Sequence, residues 1–138
     1  MSLGPELVGR RYPATAPYAV TSEKVREFAR ASGVAYDGPD GPVSQVPPTF
    51  PIVVAFEAMG AFLAAEGVDL ARIVHGEQRF SYVRPLVVGD RLTATLTIAS
   101  LRQIGGNDIV ATASEIADES GAVVCTGTAV LVHRGMAA

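Results

Sequence analysis

Hydrophobic positions follow a helical period in the first half of the chain. Between Thr21 and Gly33, apolar side chains recur at helical spacing, which predicts a short amphipathic helix that begins after a capping residue and ends at the glycine. Residues 52–65 are apolar on every face, and Glu57 is their only charged member. This pattern predicts a second helix that is surrounded by protein on most sides.

The second half of the chain alternates apolar and polar residues with the period of a β-strand. Residues 90–103 show this most clearly, because leucine, alanine and isoleucine alternate with threonine. Four successive antiparallel strands are predicted at 73–83, 90–103, 109–117 and 122–133, with a further edge strand at 8–12. The order of these elements predicts an α+β fold, a curved antiparallel β-sheet wrapped around one long central α-helix.

Length and composition favour a single domain over residues 1–138, since 49% of the residues are hydrophobic and no repeat divides the chain. We expect residues 1–5 to be disordered or derived from a tag. The net charge is −3 and the 11 lysines and arginines form no run, which argues against nucleic acid or membrane as a partner. The N-terminus lacks a signal-peptide pattern and the single Cys125 is expected in the core, which favours the cytoplasm.

A long segment without either period, residues 34–48, separates the two helices, and long loops in compact domains are often functional. It contains Asp37 and Asp40 but no histidine. Two carboxylates can serve as an acid and a base when their environments separate their pKa values. Aspartates among glycines and prolines are more often turn formers, so catalysis by this pair is the weaker interpretation. No metal-ligand cluster and no dinucleotide or flavin motif is present, so neither metal nor cofactor is expected.

Several short motifs, in their order and spacing, resemble the MaoC-like hot-dog dehydratases. They are VG with Tyr12 in residues 8–12, VREFA at 25–29, PPTF at 47–50, HGEQ with Phe80 at 75–80, and RPLVVGD at 84–90. The resemblance covers about residues 8–134 and is strongest to the small actinobacterial non-catalytic subunit of heterodimeric (3R)-hydroxyacyl-thioester dehydratases. It implies the hot-dog fold for the whole chain.

The resemblance also implies a division of labour between two chains. In catalytic members, a motif Asp-x-Asn-Pro-x-His-x-Asp follows the first helix, and its Asp and His transfer the protons. Here Val34 holds the first position and no histidine follows. The implied function is an acyl-thioester-binding subunit in fatty-acid metabolism that works with a catalytic MaoC-like chain as a heterodimer, or otherwise forms a homodimer. Its implied ligand is an acyl group on coenzyme A or on acyl carrier protein.

The start of the central helix is the predicted acyl-thioester site, with Pro48, Thr49, Phe50, Val53 and Phe56 as its residues. In the family, amides at this helix end polarise the thioester carbonyl, and the helix dipole favours such a role. The amides expected to do so here are those of residues 49 and 50. A proline-rich segment that merely starts a helix explains the same residues equally well.

Two further residues are weak catalytic candidates. By period-2 alternation, His75 shares a strand face with Glu77 and Arg79, which favours a polar sheet face or a subunit contact. Glu57 lies on the helix where related hot-dog thioesterases carry a carboxylate, so a thioesterase that uses Glu57 is an alternative function. A non-enzymatic acyl-binding or scaffold module is another. His133, near the chain end, is interpreted as structural.

Overall fold

The computed structural model describes residues 3–135, which form two α-helices, five β-strands and two short 3-10 turns. The helices are α1 (Ser22–Ser32) and α2 (Ile52–Ala65), and the strands are β1 (Tyr18–Ala19), β2 (Ile73–Tyr82), β3 (Arg91–Ile104), β4 (Asn107–Ala117) and β5 (Val123–His133). The strands form one antiparallel sheet in the order β1-β3-β4-β5-β2. α2 packs on β3 and β4, and the apolar face of the sheet and the inner face of α2 form the core. The predicted fold class is confirmed.

α1 has the capping residues that the sequence predicts. The side-chain oxygen of Thr21 accepts a hydrogen bond from the amide of Lys24 at 3.2 Å. Gly33 ends the helix in a left-handed conformation with φ of 70°, which glycine adopts without the steric cost that a Cβ would bring. Val25 and Ala29 are the buried residues of this helix, so their side chains face the core.

α2 is buried on one face only in the single chain. Val54, Ala58 and Phe62 pack into the core, whereas Phe56 is 47% exposed. The same outer face also exposes small residues, of which Ala61 lies near the middle of the helix. The prediction that protein surrounds this helix on most sides is therefore wrong for one chain, because none of the described elements covers its outer face, which carries Glu57 among small and apolar residues.

The N-terminal segment does not form the strand predicted at residues 8–12. It makes a single bridge, between Arg11 and Thr97, and scattered backbone hydrogen bonds to β3. Pro13 and Pro17 follow, and neither has an N–H to donate, which limits pairing along this edge. The two residues of β1 pair with β3 in place of a longer edge strand.

The chain is packed on the fold from Leu3 onward, and Met1 and Ser2 lie outside the described residues. Leu3 is buried, and its amide donates to Oδ2 of Asp108 at 2.9 Å. The same carboxylate interacts with Nδ1 of His133 at 3.0 Å and accepts from Nε2 of Gln103 at 3.1 Å. The described part of residues 1–5 thus differs from the disorder expected for it, because a buried carboxylate binds its backbone.

The connection between β2 and β3 is held by an ion pair within residues 84–90. The guanidinium of Arg84 donates to both carboxylate oxygens of Asp90, each at 2.9 Å. Asp90 also accepts from the amide of Val87 at 2.9 Å, and Asp118 lies 3.6 Å from the same guanidinium. These contacts fix the turn that leads into β3.

Replacing Arg84 with lysine should lower the free energy of unfolding by about 1 kcal/mol, because an ammonium cannot make the two-pronged contact with Asp90 and the pair is only partly buried. Urea unfolding measures the change. Arg79→Lys is the matched control, since Arg79 contacts Glu77 on an exposed surface, and its effect should stay within about 0.5 kcal/mol. Equal losses in the two variants would contradict a structural role for the Arg84 pair.

Candidate functional site

A cleft lies between α2 and the concave face of the sheet, next to the strand β2 at the sheet edge. α2 contributes an apolar wall, and the sheet contributes small and polar residues. The lining residues are Ile52, Ala55, Phe56, Met59, His75, Gln78, Leu96, Thr112, Ser114, Gly127 and Ala129. The cleft therefore has one apolar side and one side rich in hydrogen-bonding groups.

β5 contributes the small residues Gly127 and Ala129 to the floor of the cleft, where they face α2. A Cβ at Gly127 would lie 3.0 Å from Cε1 of Phe80 and 3.2 Å from Nε2 of Gln78. A larger residue here would crowd the side chains of β2, which lie over the backbone of β5. On the other side, Thr112 pairs with Ala129 and so faces the same cleft.

His75 points into this cleft, contrary to the prediction that it shares a face with Glu77 and Arg79. A bulge between His75 and Glu77 shifts the register of β2 by one residue. His75 consequently pairs with the fully buried Leu131 on the concave face. Period-2 alternation fails at a bulge, because the extra residue reverses the side to which the following side chains point.

A hydrogen bond joins His75 to the second polar residue of β2 in the cleft. Nε2 of His75 lies 2.9 Å from Oε1 of Gln78, and Nε2 of Gln78 donates to the carbonyl of Arg79 at 3.3 Å. With the amide in this orientation, Nε2 of His75 carries the proton and donates, which leaves Nδ1 as an acceptor. Glu77 and Arg79 pair with each other at 2.8 Å.

The start of α2 has one free amide where the sequence predicts two. The amide of Phe50 donates to the carbonyl of Pro47 at 2.9 Å, and its ring is fully buried, 5.3 Å from Phe28. Phe50 is therefore a core residue. Thr49 is exposed, and among residues 3–135 no backbone or side-chain acceptor receives its amide proton. The hydroxyl of Tyr82 donates to the carbonyl of Pro48, which ties this turn to the end of β2.

The loop carboxylates lie apart from the cleft. Asp37 and Asp40 are both exposed, and neither lines the cleft. The amide of Asp37 donates to the carbonyl of Val43 at 2.7 Å, which closes the loop on itself. Val34, at the position of the family's first aspartate, is 44% exposed. This geometry fits the turn-forming interpretation of the two aspartates.

Glu57 lies on a different face of α2 from the cleft. Together with Val53 and Tyr18 it lines a shallow surface pocket beside α1. Burial raises the pKa of Tyr18, and the charges of Glu57 and Glu27 add to that rise. Of the predicted binding residues, Phe56 lines the cleft and Val53 lines this second pocket.

Other reactive groups have structural surroundings. Cys125 is fully buried, and burial raises the pKa of its thiol to about 11, which disfavours the nucleophilic thiolate. Within residues 3–135, no three His, Cys, Asp or Glu side chains are grouped to hold a metal ion. In that same range, neither helix is long and apolar enough to cross a bilayer.

The sequence reasoning overlooked Gln78, Thr112 and Ser114. Alternation along 109–117 places Thr112 and Ser114 on the same strand face as Val110 and Ile116, which are apolar. Two hydroxyls on an otherwise apolar strand face are a signal that sequence alone contains. The position of Gln78 in the cleft could be recognised only once the bulge in β2 was known.

Comparison with known proteins identifies the family. Residues 6–127 match the family described as FAS1-like, dehydratase domain region. A UPF0336 protein of Clavibacter michiganensis is 45% identical, over 98% of this chain and 98% of that protein. A UPF0336 protein of Streptomyces coelicolor is 44% identical, over 97% of each.

Solved structures agree with this assignment. A chain of the C-terminally truncated HadBC (3R-hydroxyacyl-ACP dehydratase) complex from Mycobacterium tuberculosis is 28% identical with a TM-score of 0.76, over 91% of this chain and 96% of that one. A MaoC-like dehydratase is 27% identical with a TM-score of 0.75, over 94% of this chain and 42% of the other. The chain belongs to the MaoC-like hot-dog family of dehydratases and hydratases, and its curated relatives are UPF0336 proteins.

Proposed function

We propose that this chain is the acyl-thioester-binding, non-catalytic subunit of a (3R)-hydroxyacyl-thioester dehydratase. A second chain of the same fold supplies the aspartate and histidine that transfer protons. One observation carries the proposal: the loop between α1 and α2, where catalytic members of the family carry their motif, has no histidine and exposes both of its aspartates.

The chemistry explains why a second chain is required. Dehydration removes a proton next to the thioester carbonyl and protonates the departing hydroxyl, so a group that titrates near neutral pH must lie within hydrogen-bond reach of both. The carboxylates Asp37, Asp40 and Glu57 are exposed and lie outside the cleft. His75 lines the cleft, but no described carboxylate lines the cleft with it. A partner would complete the acid–base pair.

Two exposed surfaces support association with a second hot-dog chain. The outer face of α2 presents Gly60, Ala61 and Ala64, whose small side chains allow a second helix to approach closely, next to the exposed Phe56 and Glu57. β2 is at the edge of the sheet, so one side of its ten-residue backbone pairs with no other strand of the described residues. A chain of the same fold fits both surfaces, helix against helix and strand edge against strand edge. The similar HadBC structure is, by its name, a complex.

The same similar structures support the choice of ligand. We propose an acyl thioester of acyl carrier protein or coenzyme A, consistent with the 3R-hydroxyacyl-ACP dehydratase named among the similar structures. The cleft of the single chain has a volume of about 10 Å³, room for about one water, so we place the acyl chain along the interface with the second chain. Among the described residues, the amide of Thr49 is the one donor at the start of α2 that remains free for the thioester carbonyl. Fatty-acid metabolism in the cytoplasm is the proposed setting.

The proposal is tested by the hydration of a trans-2-enoyl thioester, which is monitored as the loss of the enoyl-thioester absorbance. The purified chain should be inactive alone and active when mixed with a catalytic MaoC-like subunit from the same cell. Substitution of the partner's motif histidine should abolish the activity of the mixture. Activity of this chain alone would overturn the proposal.

Two controls separate the alternative functions in the same assay. Tight binding of an acyl thioester without any rate in the mixture would indicate a non-enzymatic binding module. Release of free thiol by the chain alone, lost in Glu57→Gln, would indicate a thioesterase.

A further inference from the structure

One charged side chain lies in the middle of the outer face of α2. Glu57 is one helical turn before Ala61 and two turns before Ala64, so the three residues lie along one line on the helix surface. All three are exposed, and Glu57 is the only charged residue from Ile52 to Ala65. A second helix that packs against the small residues would therefore cover the carboxylate of Glu57.

This carboxylate has no ion-pair partner within residues 3–135. Lys24 of α1 lines the surface pocket beside Glu57, but Glu27 lines it too, so one cation stands against two carboxylates. Burial raises the pKa of Tyr18 in the same pocket, and the charges of Glu57 and Glu27 raise it further, as expected for a net negative charge. The surface around Glu57 is therefore complementary to a cation.

A helix that covered Glu57 without a counter-charge would bind poorly. A charge that is buried in a contact without a partner weakens association by about a hundredfold or more. A lysine or arginine on the covering helix removes this penalty, because an opposite charge in contact offsets the lost hydration. Such complementary charges also exclude wrong partners and fix the register of the right one.

A second copy of this chain does not supply that cation from its own central helix. With helix against helix, Glu57 would face the outer surface of the second α2, and residues 52–65 include no lysine or arginine. A two-fold contact repeats every interaction, so a homodimer would bury two unpaired carboxylates. Glu57 therefore disfavours pairing of the chain with itself.

We propose that Glu57 selects the partner subunit: the chain pairs with a hot-dog chain that presents a lysine or arginine opposite Glu57 on its central helix, and it pairs only weakly with itself. The inference rests on the proposed function for the fold of the partner and for the contact between the two central helices. It adds the chemistry by which the partner is recognised, and it gives Glu57 a role in specificity and not in catalysis.

Self-association of the full-length chain is the first test, measured by sedimentation equilibrium without any partner. Glu57→Gln keeps the shape of the side chain and removes its charge, so it should tighten homodimer formation at least tenfold. Glu119→Gln is the matched control, because it removes the same charge from an exposed residue between β4 and β5. It should leave the Kd for self-association unchanged.

Association with the catalytic MaoC-like subunit from the same cell is the second test. Glu57→Gln should weaken it at least tenfold, and Glu57→Lys should abolish it. Each lysine and arginine on the central helix of that subunit is then changed to glutamate in turn, and one of these changes should restore the binding of Glu57→Lys. Glu119→Gln should bind the subunit as the original chain does.

The outcomes separate this inference from the proposed function. Tight homodimer formation by the original chain, unchanged affinities in Glu57→Gln, or a catalytic subunit that binds tightly without a cation on its central helix would each overturn the inference alone. Failure of the original chain to associate with the catalytic subunit at all would overturn the inference and the proposed function together.

Discussion

Replacing Asp108 with alanine is expected to destabilise the fold more than any other single change considered. The carboxylate is buried and interacts with the Leu3 amide, the ring of His133 and the side chain of Gln103. Alanine would leave these groups without an acceptor, at about 1–3 kcal/mol for each that stays buried. Urea unfolding at neutral pH should therefore show a loss of several kcal/mol, with both chain ends loosened because Asp108 joins them.

The same site makes stability depend on pH. Burial pushes the pKa of Asp108 upward, but the hydrogen bonds from Leu3, His133 and Gln103 outweigh it and hold the pKa below its usual value of 3.8. Because the folded-state pKa is depressed, the ionised carboxylate stabilises the fold at pH values above the usual pKa. That contribution is lost as the pH falls through the depressed value.

Asp108→Asn separates the charge from the packing. Its deficit in free energy of unfolding should be full at pH 6 and shrink below about pH 4, where the original chain loses the same charge. Asp40→Asn, at an exposed loop position, is the control and should change little at either pH. A deficit for Asp108→Asn that is constant from neutral to acid pH would refute the charge-based account.

Element type and order were predictable because each half of this chain has one clear hydrophobic period. Thr21 and Gly33 bound α1 as expected, and α2 spans the predicted Ile52–Ala65. The strand predicted at 8–12 was wrong, because this segment makes one bridge and scattered backbone hydrogen bonds to β3 in place of a continuous ladder. The local sequence pattern was sufficient to predict the helices and the long strands. The predicted strand that did not form, at residues 8–12, lies where the chain runs along the edge of the sheet.

The candidate site was harder to predict, because its residues converge from five elements, α2 and the strands β2 to β5. His75 was assigned to the wrong face since nothing in the letters HGEQ shows that the register shifts at the bulge. The amide of Phe50 was expected to be free, yet it donates to the carbonyl of Pro47 in the preceding turn. The absence of a histidine from the loop was visible at once, as a one-dimensional feature. The cleft depends on how distant parts of the chain come together, so it could be recognised only in the structure.

Arginine in place of Ala61 is expected to abolish association with the partner and, with it, the activity of the mixture. Ala61 lies on the exposed outer face of α2, where a second helix would pack. An unpaired charge buried in such a contact costs about 3–5 kcal/mol, which weakens binding by more than about a hundredfold. The chain itself should fold normally, because the side chain is exposed before assembly.

Sedimentation velocity of the mixture and the enoyl hydration assay measure the two effects together. Ala31→Arg is the matched control, since Ala31 is an exposed alanine in α1, away from α2 and from the edge of β2. It should leave both association and activity intact. If Ala61→Arg remained fully associated and active, the outer face of α2 would not be the interface. If it lost association but kept activity, the chemistry would belong to one chain, and the division of labour between two chains would be refuted.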